Sequence, residues 1–110
     1  MTIESLREFG ANVEEGVARC ANNEAFYLRM MDILKKEQGF GKLEAAVQAG
    51  NLKEGFEAAH ALKGVLGNLS LTPLYEPVAE ITELLRAETD TDYAPLLEVI
   101  RTRKEQFDNL

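Results

Sequence analysis

From Ile3 to Phe107, apolar side chains recur three and four positions apart, and no stretch alternates with the period of two that a half-buried strand requires. A chain patterned in this way can bury its apolar stripes only by packing helix on helix. Glycine, asparagine and proline divide the pattern into segments. The first runs from Ile3 to Phe9 and closes at Gly10, and Asn12 caps a second from Val13 to Arg19. Asn22 or Asn23 caps a third from Glu24 to Glu37, whose apolar stripe reads Phe26, Met30, Ile33 and Leu34. After Gly39 and Gly41, a helix from Lys42 to Ala49 ends at Gly50. Asn51 opens a long helix reaching Ser70. Thr72 as cap and Pro73 in the first turn start a helix to Ala87, with Leu74, Val78, Ile81, Leu84 and Leu85 inward and Pro77 expected to bend it. Beyond a loop from Glu88 to Thr91, the last helix, Asp92 to Asp108, carries Leu96, Val99, Ile100, Arg103 and Phe107 at helical spacing. Long helices joined by short loops pack as antiparallel neighbours. The expected fold is therefore all-α, an up-down antiparallel four-helix bundle with the short N-terminal helices covering one end, in one domain over residues 1–110.

Charge narrows the function. With 19 acidic against 12 basic residues the formal charge is −7, and no basic patch stands out, so neither nucleic acid nor an anionic membrane surface is an expected partner. No apolar run is long enough to cross a bilayer, and the opening MTIESLREFGANVEEG lacks the features of a signal peptide. A lone cysteine, Cys20, cannot form an internal disulfide, which fits a reducing cytoplasm. One histidine and one cysteine far apart in the chain make no metal-ligand cluster, and no GxxxxGK[ST] loop is present to bind ATP.

The single histidine is the most informative residue. When Asn51–Ser70 is wound at about 100° per residue, Ala58, Ala59, Leu62, Val65, Leu66 and Leu69 gather on one side and His60 falls nearly opposite. Around it lie Lys53, Phe56, Glu57, Lys63, Gly64, Gly67 and Asn68. A glycine inside a helix costs about 1 kcal/mol relative to alanine, so two of them on the histidine's face suggest clearance for an approaching surface. Lys53 and Lys63 can neutralise a dianionic group arriving at the imidazole. A neutral imidazole nitrogen can attack a phosphoryl group and hold it as phosphohistidine, and no second nucleophile or base supports hydrolysis.

The segment AHALKGVLGNLS, followed by LTPLYEPVAEITELLRA, resembles the histidine-containing phosphotransfer (HPt) family of two-component phosphorelays. His60, Leu62, Lys63, Gly64, Asn68 and Leu69 match its pattern, and the upstream ANVEEGVARCANNEAFYLRMMDILKK is similar to its opening segment. Leu66 stands where the family commonly has serine or alanine, and Ser70 replaces a frequent glycine. The resemblance implies a bundle with an exposed phosphorylatable histidine on its second helix. It implies that His60 takes a phosphoryl group from a receiver aspartate and passes it to another receiver, with Lys63 as electrostatic partner and Gly64 as the approach point. Lys53, Phe56, Gly67 and Asn68 would join Gly64 in docking. The partners implied are response-regulator receiver domains or a hybrid histidine kinase. The Mg²⁺ belongs to the receiver, and the carrier has no cofactor of its own. A free-standing monomeric carrier is expected. Three other readings stand beside it: a domain of the chemotaxis-kinase type, phosphorylated by a kinase; a helical adaptor that docks receivers without being phosphorylated; and a purely structural helical bundle, which leaves both glycines unexplained.

Overall fold

Seven helices and no strand make up the computed structural model, which describes residues 1–110. They are α1 (Ile3–Phe9), α2 (Val13–Arg19), α3 (Glu24–Lys35), α4 (Gly39–Gln48), α5 (Leu52–Asn68), α6 (Thr72–Arg86) and α7 (Ala94–Asp108). The side chains of Asn12, Asn23 and Asn51 accept hydrogen bonds from the backbone N–H groups of Glu15, Phe26 and Glu54, so each satisfies a first-turn donor. The choice between Asn22 and Asn23 falls to Asn23 because Asn22, like Ala21, is turned into the left-handed region at φ 58°. Gly50 does the same work after α4 at φ 77°, which lets Asn51 cap α5 directly.

Three starts differ from the sequence expectation. Helix α4 begins at Gly39 instead of Lys42, because the Glu37 carboxylate accepts the Gly39 N–H and opens the helix early. Thr72 is the first residue of α6 and makes no capping bond; the cap position belongs to Leu71. Helix α7 begins at Ala94 instead of Asp92, because Asp92 accepts the Ala94 N–H while the Tyr93 hydroxyl donates to the carbonyls of Leu84 and Thr89. Helix ends differ by a residue or two.

The fold is an antiparallel bundle. Helix α5 packs between α4 and α6, and α7 packs on α6. Helices α3 and α4 together form the first arm. The Tyr27 hydroxyl donates to the Leu69 carbonyl beyond the end of α5, Gly39 lies against Leu62, and Gly55 lies against Val47, so the arm descends α5 with a break after Lys36. Helices α1 and α2 cover the end where α5 turns into α6, as expected: Asn12 N–H donates to the Ser70 carbonyl, Gly10 abuts Pro73, and the Phe9 ring packs at a tilt against Phe107 with centroids 6.0 Å apart.

The buried stripes correct the sequence reading in two helices. In α3 the core face is Tyr27, Met31 and Leu34, while Phe26 and Ile33 are 44% and 54% exposed. In α7 Leu97, Ile100 and Phe107 are buried, Leu96 is half-buried and Val99 faces out. Arg103 has a separate role. Pro77 has no N–H for the Pro73 carbonyl one turn earlier, and the Arg103 guanidinium donates to that carbonyl at 2.7 Å.

Tyr27 is fully buried, and burial pushes its hydroxyl up to about 12, with Cys20 and Glu14 adding to the effect. Its ring fills the space above Gly16, where a Cβ would stand 2.5 Å from the ring. Gly16→Ala is therefore expected to lose about 1–3 kcal/mol by overpacking, despite alanine's better helix propensity. Thermal melts of parent and variant check this; a Gly16→Ala protein that melts at or above the parent would contradict the packing.

Candidate functional site

Helix α5 has 17 residues, enough for nearly five turns. Gly55, Ala59, Leu62 and Leu66 are buried against its neighbours, and the opposite strip bearing Lys53, His60, Gly64 and Asn68 is exposed. Val65, placed with the core stripe by the helical wheel, lies at its edge and is 38% exposed. The imidazole of His60 thus stands on a helix fixed from both sides.

The ring is not free-standing. Phe56, one turn earlier, stacks on it with centroids 5.4 Å apart and planes 17° from parallel. Phe56 is half-buried against the core, and the Arg86 guanidinium of α6 lies over its ring at 4.8 Å. Arg86 is in turn held by Glu83 at 3.0 Å. The Arg86 guanidinium keeps the Glu83 carboxyl below the usual carboxylate range, and the positive charge of Lys63 works in the same direction. Lys63 is half-buried and enters no ion pair.

A shallow open depression of about 300 Å³ begins at His60 and Lys63 and runs over Gly64 and Gly67 to Asn68, walled by Arg19 of α2 and Tyr75 of α6. The two glycines differ. Nothing lies within 4 Å of a Cβ built on Gly64, whereas one on Gly67 would meet the Tyr75 ring at 3.3 Å. The room above Gly64 is open to an incoming molecule, and that above Gly67 is already used by Tyr75. Lys53 is exposed on the same strip but outside the depression. A larger groove, about 550 Å³, lies between α4 and α5 over Ala45, Ala49 and Ala58. It holds no imidazole, hydroxyl or thiol, and its charged residues are Lys42, Glu54 and Glu57, which leave it net acidic.

Arg19, Tyr75, Glu83 and Arg86 were not signalled by the sequence around His60. Each reaches the site across a helix–helix boundary. The (i, i+3) spacing of Glu83 and Arg86 marks a pair on one face of α6, but not which helix that face meets.

A family model, the Hpt domain, matches residues 29–110. The chain belongs to the Hpt domain family, whose members carry phosphoryl groups in two-component systems and engage receiver domains and histidine kinases. No curated protein and no solved structure matches it. No helix is long and apolar enough to cross a membrane.

The difference between the glycines is testable. Gly64→Gln is expected to raise stability by under about 1 kcal/mol, since it replaces a helix-interior glycine where there is space. Gly67→Ala should gain less, because the Tyr75 ring must yield. Thermal melts give the stabilities. Phosphoryl uptake on the same preparations should be clearly slower for Gly64→Gln, whose side chain stands one turn from His60. Uptake at the parent rate would mean that nothing docks closely over that turn.

Proposed function

We propose that His60 accepts a phosphoryl group from the aspartyl phosphate of a response-regulator receiver domain and passes it to a second receiver. The observation that carries this reading is the only imidazole of the chain, exposed on a helix strip whose next turn, at Gly64, is bare.

The chemistry follows from the ring. The lone pair of one neutral imidazole nitrogen attacks phosphorus, the P–O bond to the aspartate breaks, and the receiver's carboxylate leaves with the electron pair. The other ring nitrogen retains its proton. Stacking on Phe56 limits the orientations of the imidazole, so less rotational freedom is lost on reaching the attack geometry. Lys63 has no carboxylate partner, so its ammonium is available to the incoming phosphoryl oxygens. The divalent metal ion that such a transfer uses belongs to the receiver. Onward transfer is the same reaction reversed, onto a second receiver.

His60→Gln is expected to fold like the parent and take no label from a phosphorylated receiver, since no other imidazole exists. Assays against a panel of receiver domains and against an isolated kinase core also identify the donor, and acid lability identifies phosphohistidine. Acid-labile phosphate on the His60→Gln protein would remove His60 from the mechanism.

Lys63→Ala is expected to slow transfer about tenfold, equivalent to about 1.4 kcal/mol, through loss of one charge-assisted contact. Its melting temperature should change little. An unchanged single-turnover rate would return Lys63 to an ordinary solvated lysine.

A further inference from the structure

Arg19 lies in α2, ahead of the stretch that the Hpt domain matches, yet it walls the depression that begins at His60. Its guanidinium is fixed at two points. Nη1 donates to the Gly67 carbonyl at 2.7 Å, and Nη2 pairs with Glu15 at 2.9 Å. Glu15 is itself held by the Ser70 hydroxyl at 3.1 Å and the Asn12 amide at 3.2 Å. The Arg19 side chain nevertheless remains 49% exposed. A guanidinium has five N–H donors, so fixing it at two points leaves others for a ligand. A donor already held in place loses little conformational freedom on binding.

The surroundings state the sign of that ligand. Arg19 and Lys63 line the depression and no carboxylate does; Glu15 offsets the charge of Arg19 from outside it and Lys63 stays unpaired, in a chain whose formal charge is −7. Gly67, to which Arg19 is fastened, is seven residues beyond His60, about 10 Å along the helix axis. Arg19 is thus too far away to touch a phosphoryl group on the imidazole.

We propose that Arg19 is a docking residue for the receiver domain, engaging a carboxylate at the rim of the receiver while the phosphoryl group is transferred at His60. This rests on the phosphorelay reading above. It makes α2, outside the family-matched stretch, a determinant of which receiver binds.

The test is single-turnover transfer from the receiver that labels the parent fastest, measured over a range of receiver concentration. Arg19→Ala should raise the half-saturating concentration about tenfold and leave the saturated rate within about twofold. Arg19→Lys keeps the charge without the planar fork and should fall between. Added salt should weaken docking of the parent more than of Arg19→Ala. Tyr27→Phe loosens the same end of α5 without touching the charges of the depression, and should leave half-saturation unchanged below its melting range. An Arg19→Ala protein with parent half-saturation overturns the proposal, as does an equal rise in Tyr27→Phe, which would assign the effect to the fold. If no receiver labels the parent, the phosphorelay reading falls and takes this proposal with it; a labelled parent with an unaffected Arg19→Ala overturns the Arg19 assignment alone.

Discussion

A helix ends with carbonyl groups that have no partner within it, and at the C-terminal end of α5 those groups lie where the chain folds back into the core. The partners they find organise the molecule. Leu71 N–H donates to Leu66, Ser70 N–H to Gly67, and the Tyr27 hydroxyl to Leu69. The first two bonds close the turn into α6, with Ser70 in the left-handed region at φ 54° where glycine would be unstrained. The third fastens α3 across the core. Arg19 adds a bond to Gly67 from α2. A single helix end, buried on its core side, thus holds α2, α3 and α6 against the helix that bears the histidine. Losing the Tyr27 hydroxyl would leave the buried Leu69 carbonyl without that donor, and such a group costs more than the net worth of a typical hydrogen bond.

That fastening explains how a helix can carry an open strip without losing its place. Helix α5 is buried on the faces that meet α4 and α6, so its position does not depend on the exposed residues. The strip can then hold Gly64, which serves nothing inside the fold, and an imidazole with no hydrogen-bonding partner among the side chains. Order at the ring comes instead from packing: Phe56 against His60, Arg86 over Phe56, Glu83 on Arg86. Each of these contacts is modest by itself, and the exposed Arg86–Glu83 pair contributes little to stability. Together they restrict the imidazole to few orientations.

The charge distribution runs the same way. The chain is acidic as a whole, and its ion pairs elsewhere, such as Arg7 with Glu4 and Glu14, or Lys104 with Asp108, largely neutralise themselves at the surface. Around the depression the one unpaired charge is that of Lys63, while Arg19, paired with Glu15, keeps N–H donors in reserve. A locally positive place on an acidic surface favours an approaching anionic group.

The helical period, the capping asparagines and the glycine at position 50 were legible in the sequence because they act within a few residues of themselves. So was the exposure of His60, since a wheel with one clear apolar arc leaves only one place for its opposite. The buried face of α3 was not. Phe26, Met30, Ile33 and Leu34 form one helical stripe and Tyr27, Met31 and Leu34 another, one residue on, and both are apolar. Tertiary structure chose the second, where the Tyr27 ring fills the space over Gly16 and its hydroxyl reaches Leu69. The same holds at the site. The sequence by itself determined the exposed imidazole of His60, the lysine beside it and the bare turn at Gly64, all on one helix and linked by its period. Only the packing of α2 and α6 against α5 decided that Arg19, Tyr75, Glu83 and Arg86 surround them and that Tyr75 occupies the room over Gly67, because those contacts join residues whose separation in the chain carries no periodic signal.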